Sequence, residues 1–161
     1  MKSYKFVNHL WDDAKAASLD PVGRLVYRSN LLGSDQRVTK TGVGNTSSKL
    51  SEKDPLTERP VGVLWVKGSG TDLATITAAG FACLRLDEVV PLRERAHMDD
   101  AEMVDYLLRC AVSPAQPRPS IETLLHAFVR AAHVDHTHPD AVIALTSAPD
   151  GRRLAEEAFG D

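Results

Sequence analysis

No apolar run in this sequence approaches the ~20 residues that a membrane-spanning helix requires. The longest, such as residues 141–145, are a few residues each. The start, Met1-Lys2-Ser3-Tyr4-Lys5, leads into Asn8, His9 and Asp12 rather than into an apolar stretch, so no secretory leader is read there. Cysteine is scarce. Cys83 and Cys110 are the two present, both inside apolar segments, and they read as buried thiols of a cytoplasmic protein rather than as a disulfide framework. An excess of one charge is also missing. Nineteen Lys and Arg against 22 Asp and Glu give a net charge of −3, so nucleic acid is not an expected partner, and neither is a membrane. Internal repeats and low-complexity tracts are absent. What remains is 43% hydrophobic and 25% charged residues over 161 positions, which suits one globular domain with its own core and excludes a disordered chain.

Helix and strand signals alternate along the chain. Residues 10–18 are rich in helix formers. Asp20 as N-cap, Pro21 at the first helical position and Gly33 as a stop predict a second helix, with Val22, Leu25, Val26 and Leu32 on one face. Residues 36–39 read as a short strand, 41–48 as a turn of small residues, and 50–60 as a surface loop or hairpin. Strands are expected over 61–66 and 80–86, separated by the turn Lys67-Gly68-Ser69-Gly70. Asp99 or Asp100 would cap a helix reaching Val112. The proline-rich connector 113–119 ends it, and Ser120-Ile121-Glu122 starts another toward Arg130. Residues 133–138 read as a strand, followed by helices from Pro139-Asp140 to Leu145 and over 152–159. This alternation predicts a layered α/β domain, with the direction of the strands left open.

Three features could carry chemistry. In His133-Val134-Asp135-His136-Thr137-His138, positions i and i+2 of a strand share a face, so His136 and His138 would project together while His133 points the other way. Two such imidazoles can share a metal ion. The alternative is a polar strand end whose histidines only form hydrogen bonds. Glu122, in the first turn of a helix, is either a favourable charge at the positive helix end or a proton carrier beside a bound substrate. The turns Gly44-Asn45-Thr46-Ser47 and Gly68-Ser69-Gly70 offer amides and hydroxyls with little steric obstruction, the equipment of an anion site. Neither has the spacing of a P-loop. Metal, proton carrier and phosphate turns together fit retro-aldol cleavage of a sugar phosphate.

At these residues the sequence resembles the class II aldolase/adducin family, and most narrowly the N-terminal aldolase part of bifunctional rhamnulose-1-phosphate aldolase/alcohol dehydrogenases. The stretches that carry the resemblance are Leu10-Trp11-Asp12-Asp13, residues 20–30, Gly44-Asn45-Thr46-Ser47-Ser48-Lys49, Trp65-Val66-Lys67-Gly68-Ser69-Gly70 and residues 133–140. The resemblance implies a three-layer α/β/α domain around a mostly antiparallel sheet, a homo-oligomer (commonly a tetramer), and a Zn2+ cofactor. It implies that His136 and His138 are metal ligands and Glu122 the catalytic acid/base. Asn45, Ser69, Gly70 and Ser120 would contact the substrate phosphate. The implied reaction cleaves L-rhamnulose 1-phosphate to dihydroxyacetone phosphate and L-lactaldehyde.

The departures from the family pattern also carry expectations. The third zinc histidine has no counterpart, because none of the residues after His138 is a histidine, and His9, His97 and His126 do not match its place. Val43 stands where the narrower family has glycine. The domain is expected to be truncated at its C-terminus, with no dehydrogenase domain following and an incomplete zinc site. A non-catalytic, adducin-like interaction module and a sugar-phosphate 4-epimerase are the competing expectations. Glu122 favours the aldolase over the epimerase, since the epimerase branch carries aspartate at that position.

Overall fold

The computed structural model describes residues 9–160; the start of the chain, read above for a leader, lies outside them. Two short strands and two longer ones make one sheet. β1 (Asn45–Lys53) and β2 (Pro60–Lys67) form a hairpin, β3 (Phe81–Arg85) flanks β2, and β4 (His133–His136) flanks β1. The order is β3-β2-β1-β4 and every pairing is antiparallel. The helices are α1 (Asp13–Ala17), α2 (Pro21–Ser34), α3 (Leu86–Val89), α4 (Asp100–Arg109), α5 (Thr123–Phe128), α6 (Asp140–Thr146) and α7 (Gly151–Phe159). None of the described helices is long and apolar enough to cross a membrane.

Both faces of the sheet are covered, because β2 and β3 are apolar on both sides. Leu64, Val66, Ala82 and Leu84 point to one face, where Val89, Leu107, Cys110 and Ala127 close over them from α3, α4, the end of α4 and α5. Phe81 and Trp65, one residue out of phase, point to the other face and meet Leu25 and Val26 of α2. The result is the expected α/β/α layering.

Local signals account for the helix starts. Asp20 accepts the Gly23 N–H at 2.6 Å, with Pro21 at the first helical position. Asp99 caps α4 through a reciprocal capping box with Glu102. α4 stops at Arg109 rather than Val112, because Ala111 bridges to Leu84 and the Val112 N–H goes to the Cys83 carbonyl.

Three expectations are corrected. Residues 36–39 are a turn, not a strand: the Asp35 carbonyl accepts the Val38 and Thr39 N–H groups and its carboxylate accepts that of Arg37, which coils the backbone. Gly33 lies within α2, not beyond its end. Asn45-Thr46-Ser47 is not a turn but the fully buried start of β1, and β1 continues to Lys53 before the hairpin closes. The hairpin turn is held by Asp54, which accepts the Leu56 and Thr57 N–H groups and pairs with Arg85 at 2.9 Å.

Candidate functional site

The start of β1 and the ends of β2 and β4 place the candidate residues at one end of the sheet. Asn45, the first residue of β1, lies directly opposite His136, the last of β4. Glu122 stands at the entrance to α5 and makes no side-chain cap there, so its carboxylate is not committed to the helix end. That carboxylate turns to β4: Glu122 Oε1 is 3.1 Å from His136 Nδ1. The two groups are close but off the line a hydrogen bond needs, and the buried Nδ1 has no hydrogen-bond partner.

β4 ends at His136, so His138 lies just past the strand. Its backbone N–H is held instead by the Val38 carbonyl at 3.0 Å. The two rings still stand side by side, 4.8 Å between centroids and tilted by 33°. Glu122, His136 and His138 each present a donor atom, all within 4.8 Å of one another. His133 goes to the other face and shares a hydrogen bond with Ser48 at 2.9 Å.

The donor set suits a borderline cation. Two imidazole nitrogens and a carboxylate oxygen are ligands that zinc accepts. A half-buried imidazole nitrogen left without a hydrogen-bond partner is the kind of atom a metal would satisfy. The residues present therefore fit such an ion.

The small-residue segments divide. Thr46 and Ser47 have spent their hydroxyls inside the protein, Thr46 with Ser29 at 2.7 Å and Ser47 with His126 Nδ1 at 2.8 Å. Asn45 has not: both atoms of its buried amide are without partners. The Gly68–Gly70 turn remains open. Ser69 and Gly70 are exposed, and Gly70 adopts a φ of 79°, in the region that glycine enters at least cost. Gly68 bridges to Pro119 and the Ser69 N–H goes to the Arg118 carbonyl at 2.9 Å, which ties this turn to Ser120 and Glu122. The Ser120 hydroxyl accepts the Glu122 N–H at 3.3 Å.

Two residues here were not singled out from sequence. His126 is fully buried beneath Ser47, with its Nε2 unpartnered. Burial pushes its imidazole down to about 4, with the Glu122 charge pulling the other way. Lys67, at the end of β2, is only 4% exposed. Burial lowers its pKa, while Glu122 and then Asp72 raise it. The legible signal was a lysine closing the otherwise apolar run Val61-Gly62-Val63-Leu64-Trp65-Val66.

Comparison with known proteins gives consistent results. The family model described as Class II Aldolase and Adducin N-terminal domain matches residues 24–159. A Bacillus subtilis (strain 168) protein named "Uncharacterized oxidoreductase YuxG" is 54% identical over 156 residues, covering 96% of this chain. The chain spans 22% of that relative's length. The solved N-terminal class II aldolase domain of a conserved protein from Thermoplasma acidophilum superposes with a TM-score of 0.80 at 34% identity, over 99% of this chain and 71% of that one.

Proposed function

The chain belongs to the class II aldolase and adducin family, and on that footing we propose that it is the aldolase portion of a zinc-dependent enzyme cleaving L-rhamnulose 1-phosphate to dihydroxyacetone phosphate and L-lactaldehyde. The observation that carries this reading is the convergence of Glu122, His136 and His138, with donor atoms inside 4.8 Å. His136 and His138 would hold the zinc ion, with the Glu122 carboxylate beside them and left free for proton transfer. When bound, the ion supplies Lewis-acid charge for the substrate's carbonyl and neighbouring hydroxyl oxygens.

This chain's residues do the rest. Cleavage of the C3–C4 bond removes the proton of the C4 hydroxyl and requires a proton at C3 of the enediolate left behind. Glu122 carries that proton, since its carboxylate is free of the helix end and faces the imidazole pair. Ser69, Gly70 and Ser120, joined through the Gly68–Pro119 bridge, hold the phosphate together with the unpartnered amide of Asn45. A homo-oligomer, a tetramer by family likeness, is part of the proposal. The two free, buried cysteines support a reducing, cytoplasmic setting.

One experiment joins zinc calorimetry to product assays on L-rhamnulose 1-phosphate and L-ribulose 5-phosphate. The zinc-loaded chain is expected to release dihydroxyacetone phosphate. Glu122→Gln should lower kcat about 100-fold or more, and His136→Ala should abolish stoichiometric zinc. Unchanged zinc in His136→Ala removes that residue from the site. Epimerisation of the second substrate transfers the chain to the epimerase branch. The presence of two imidazoles in the cluster rather than three favours a second reading, a non-catalytic oligomerisation module. A folded, oligomeric chain without zinc or turnover would favour it.

A further inference from the structure

Of the five buried side-chain atoms without a hydrogen-bond partner among the described residues, four belong to Asn45, His126 and His136. Native proteins leave few such atoms, and a group of them calls for a partner. The three residues share one face of the sheet. Asn45 and His136 are cross-strand neighbours. Ser47, two positions along β1 from Asn45, points the same way and meets His126. From α5 the His126 side chain leans toward the start of the helix, where Glu122 stands. After burial, the charges that act most on this ring are those of Glu122 and His136. The ring thus extends toward the Asn45–His136 pair.

Counting protons sets the direction of the bonds. Ser47 is 1% exposed, and His126 Nδ1 is the one partner of its hydroxyl among the described residues. The hydroxyl proton goes to Nδ1, since it would otherwise be a buried donor without an acceptor. Burial keeps the ring neutral near neutral pH, so its single N–H is at Nε2. That N–H needs an acceptor. His136 Nδ1 faces Glu122, which leaves the Asn45 amide, fully buried with both atoms unpartnered. The amide and Nε2 make no direct hydrogen bond, and a buried water is the partner that serves two such groups at once.

We infer that His126 is a positioning residue for Asn45: its Nε2–H donates to one buried water, and that water donates to Asn45 Oδ1, which turns the Nδ2 donors of Asn45 toward the phosphate. This rests on the reading of Asn45 as a phosphate contact. The orientation matters because the two ends of an amide are nearly alike in shape, and only the nitrogen donates to an anion. A histidine kept only to fill the space beneath Ser47 would contribute stability and leave anion affinity unchanged.

The test uses the metal-free full chain near neutral pH. Nitrogen NMR of wild type is expected to show His126 as the Nε2–H tautomer, and a titration with inorganic phosphate is expected to saturate. His126→Leu should weaken phosphate about three- to tenfold, the loss of one hydrogen bond, and should change nothing further in an Asn45→Ala background. An Nδ1–H tautomer in wild type overturns the inference whether or not His126→Leu folds. Unchanged affinity in folded His126→Leu also overturns it, as does an equal loss with and without the Asn45 side chain. Should His126→Leu not fold, a high-resolution crystal structure of wild type decides. A water joining His126 Nε2 to the Asn45 amide supports the inference, and a dry gap overturns it. Wild type that binds no phosphate overturns the phosphate reading and the positioning role with it. Wild type that binds phosphate with His126 in the Nδ1–H form keeps that reading and removes His126 alone.

Discussion

Arg28 of α2 reaches past the edge of β1 to Asp135 of β4, with Nε 2.8 Å from Oδ1. The same guanidinium donates through Nη2 to the Ser47 carbonyl at 2.7 Å. One side chain therefore fastens the short edge strand that presents His136, in the residue next to it. β4 is four residues long and pairs on one side among the described residues, so it has few other restraints.

That arrangement predicts a stability cost and a site cost together. Arg28→Met leaves the Ser47 carbonyl and the Asp135 carboxylate without their donor, worth about 1–3 kcal/mol for a partly buried pair. Asp135→Asn should cost less, and the double variant should cost less than the two single changes combined, because they remove one shared interaction. Urea unfolding of the four proteins measures this. Additive losses would mean that the two residues act independently.

His126 predicts the pH dependence of the metal-free protein. Its imidazole is held neutral by burial, with a folded pKa of about 4 against an ordinary 6.5. The unfolded chain then binds more protons than the folded one between these values, so stability rises with pH across that window. Acidification from about 6.5 toward 4 should remove roughly 3 kcal/mol, and the loss should level off below the folded pKa. His133, also pushed down mainly by burial, adds in the same direction. His126→Gln should flatten the slope of unfolding free energy against pH. A wild-type slope near zero over that window would contradict the assignment.

Gly33 predicts a backbone effect. A Cβ built there would stand 2.1 Å from the Ala74 nitrogen and 2.5 Å from the Leu73 carbonyl carbon. These are main-chain atoms that cannot rotate away, and Asn30 pins the same segment by donating to the Leu73 and Ile76 carbonyls. Gly33→Ala should therefore cost about 3 kcal/mol, the upper end of ordinary overpacking, and lower Tm by about 10 °C. A change of less than a degree or two in a thermal melt would show that α2 can move away from this segment.

Much of this protein follows from local chemistry that needs no partner elsewhere in the chain. Asp20-Pro21 starts α2 and Asp99 with Glu102 starts α4 because a cap and its amides lie within one turn. The apolar run through Val66 and the strand from Phe81 pair in the sheet and are covered on both sides because both faces are apolar. Spacing alone put the imidazoles at 136 and 138 on one side, and they stay together although the strand ends between them. Long-range contacts decided the rest. Asn45-Thr46-Ser47 has turn composition, yet it becomes buried strand because Ser29 and His126, 17 and 79 residues from their partners, consume its hydroxyls. Gly33 has the look of a helix stop, but its lack of a side chain serves a close backbone approach to residues 73 and 74. The meeting of Glu122 with His136, and the burial of Lys67 against the Gly42 carbonyl, depend on which chain segments fold against each other. A pattern read along one segment contains no term for such encounters.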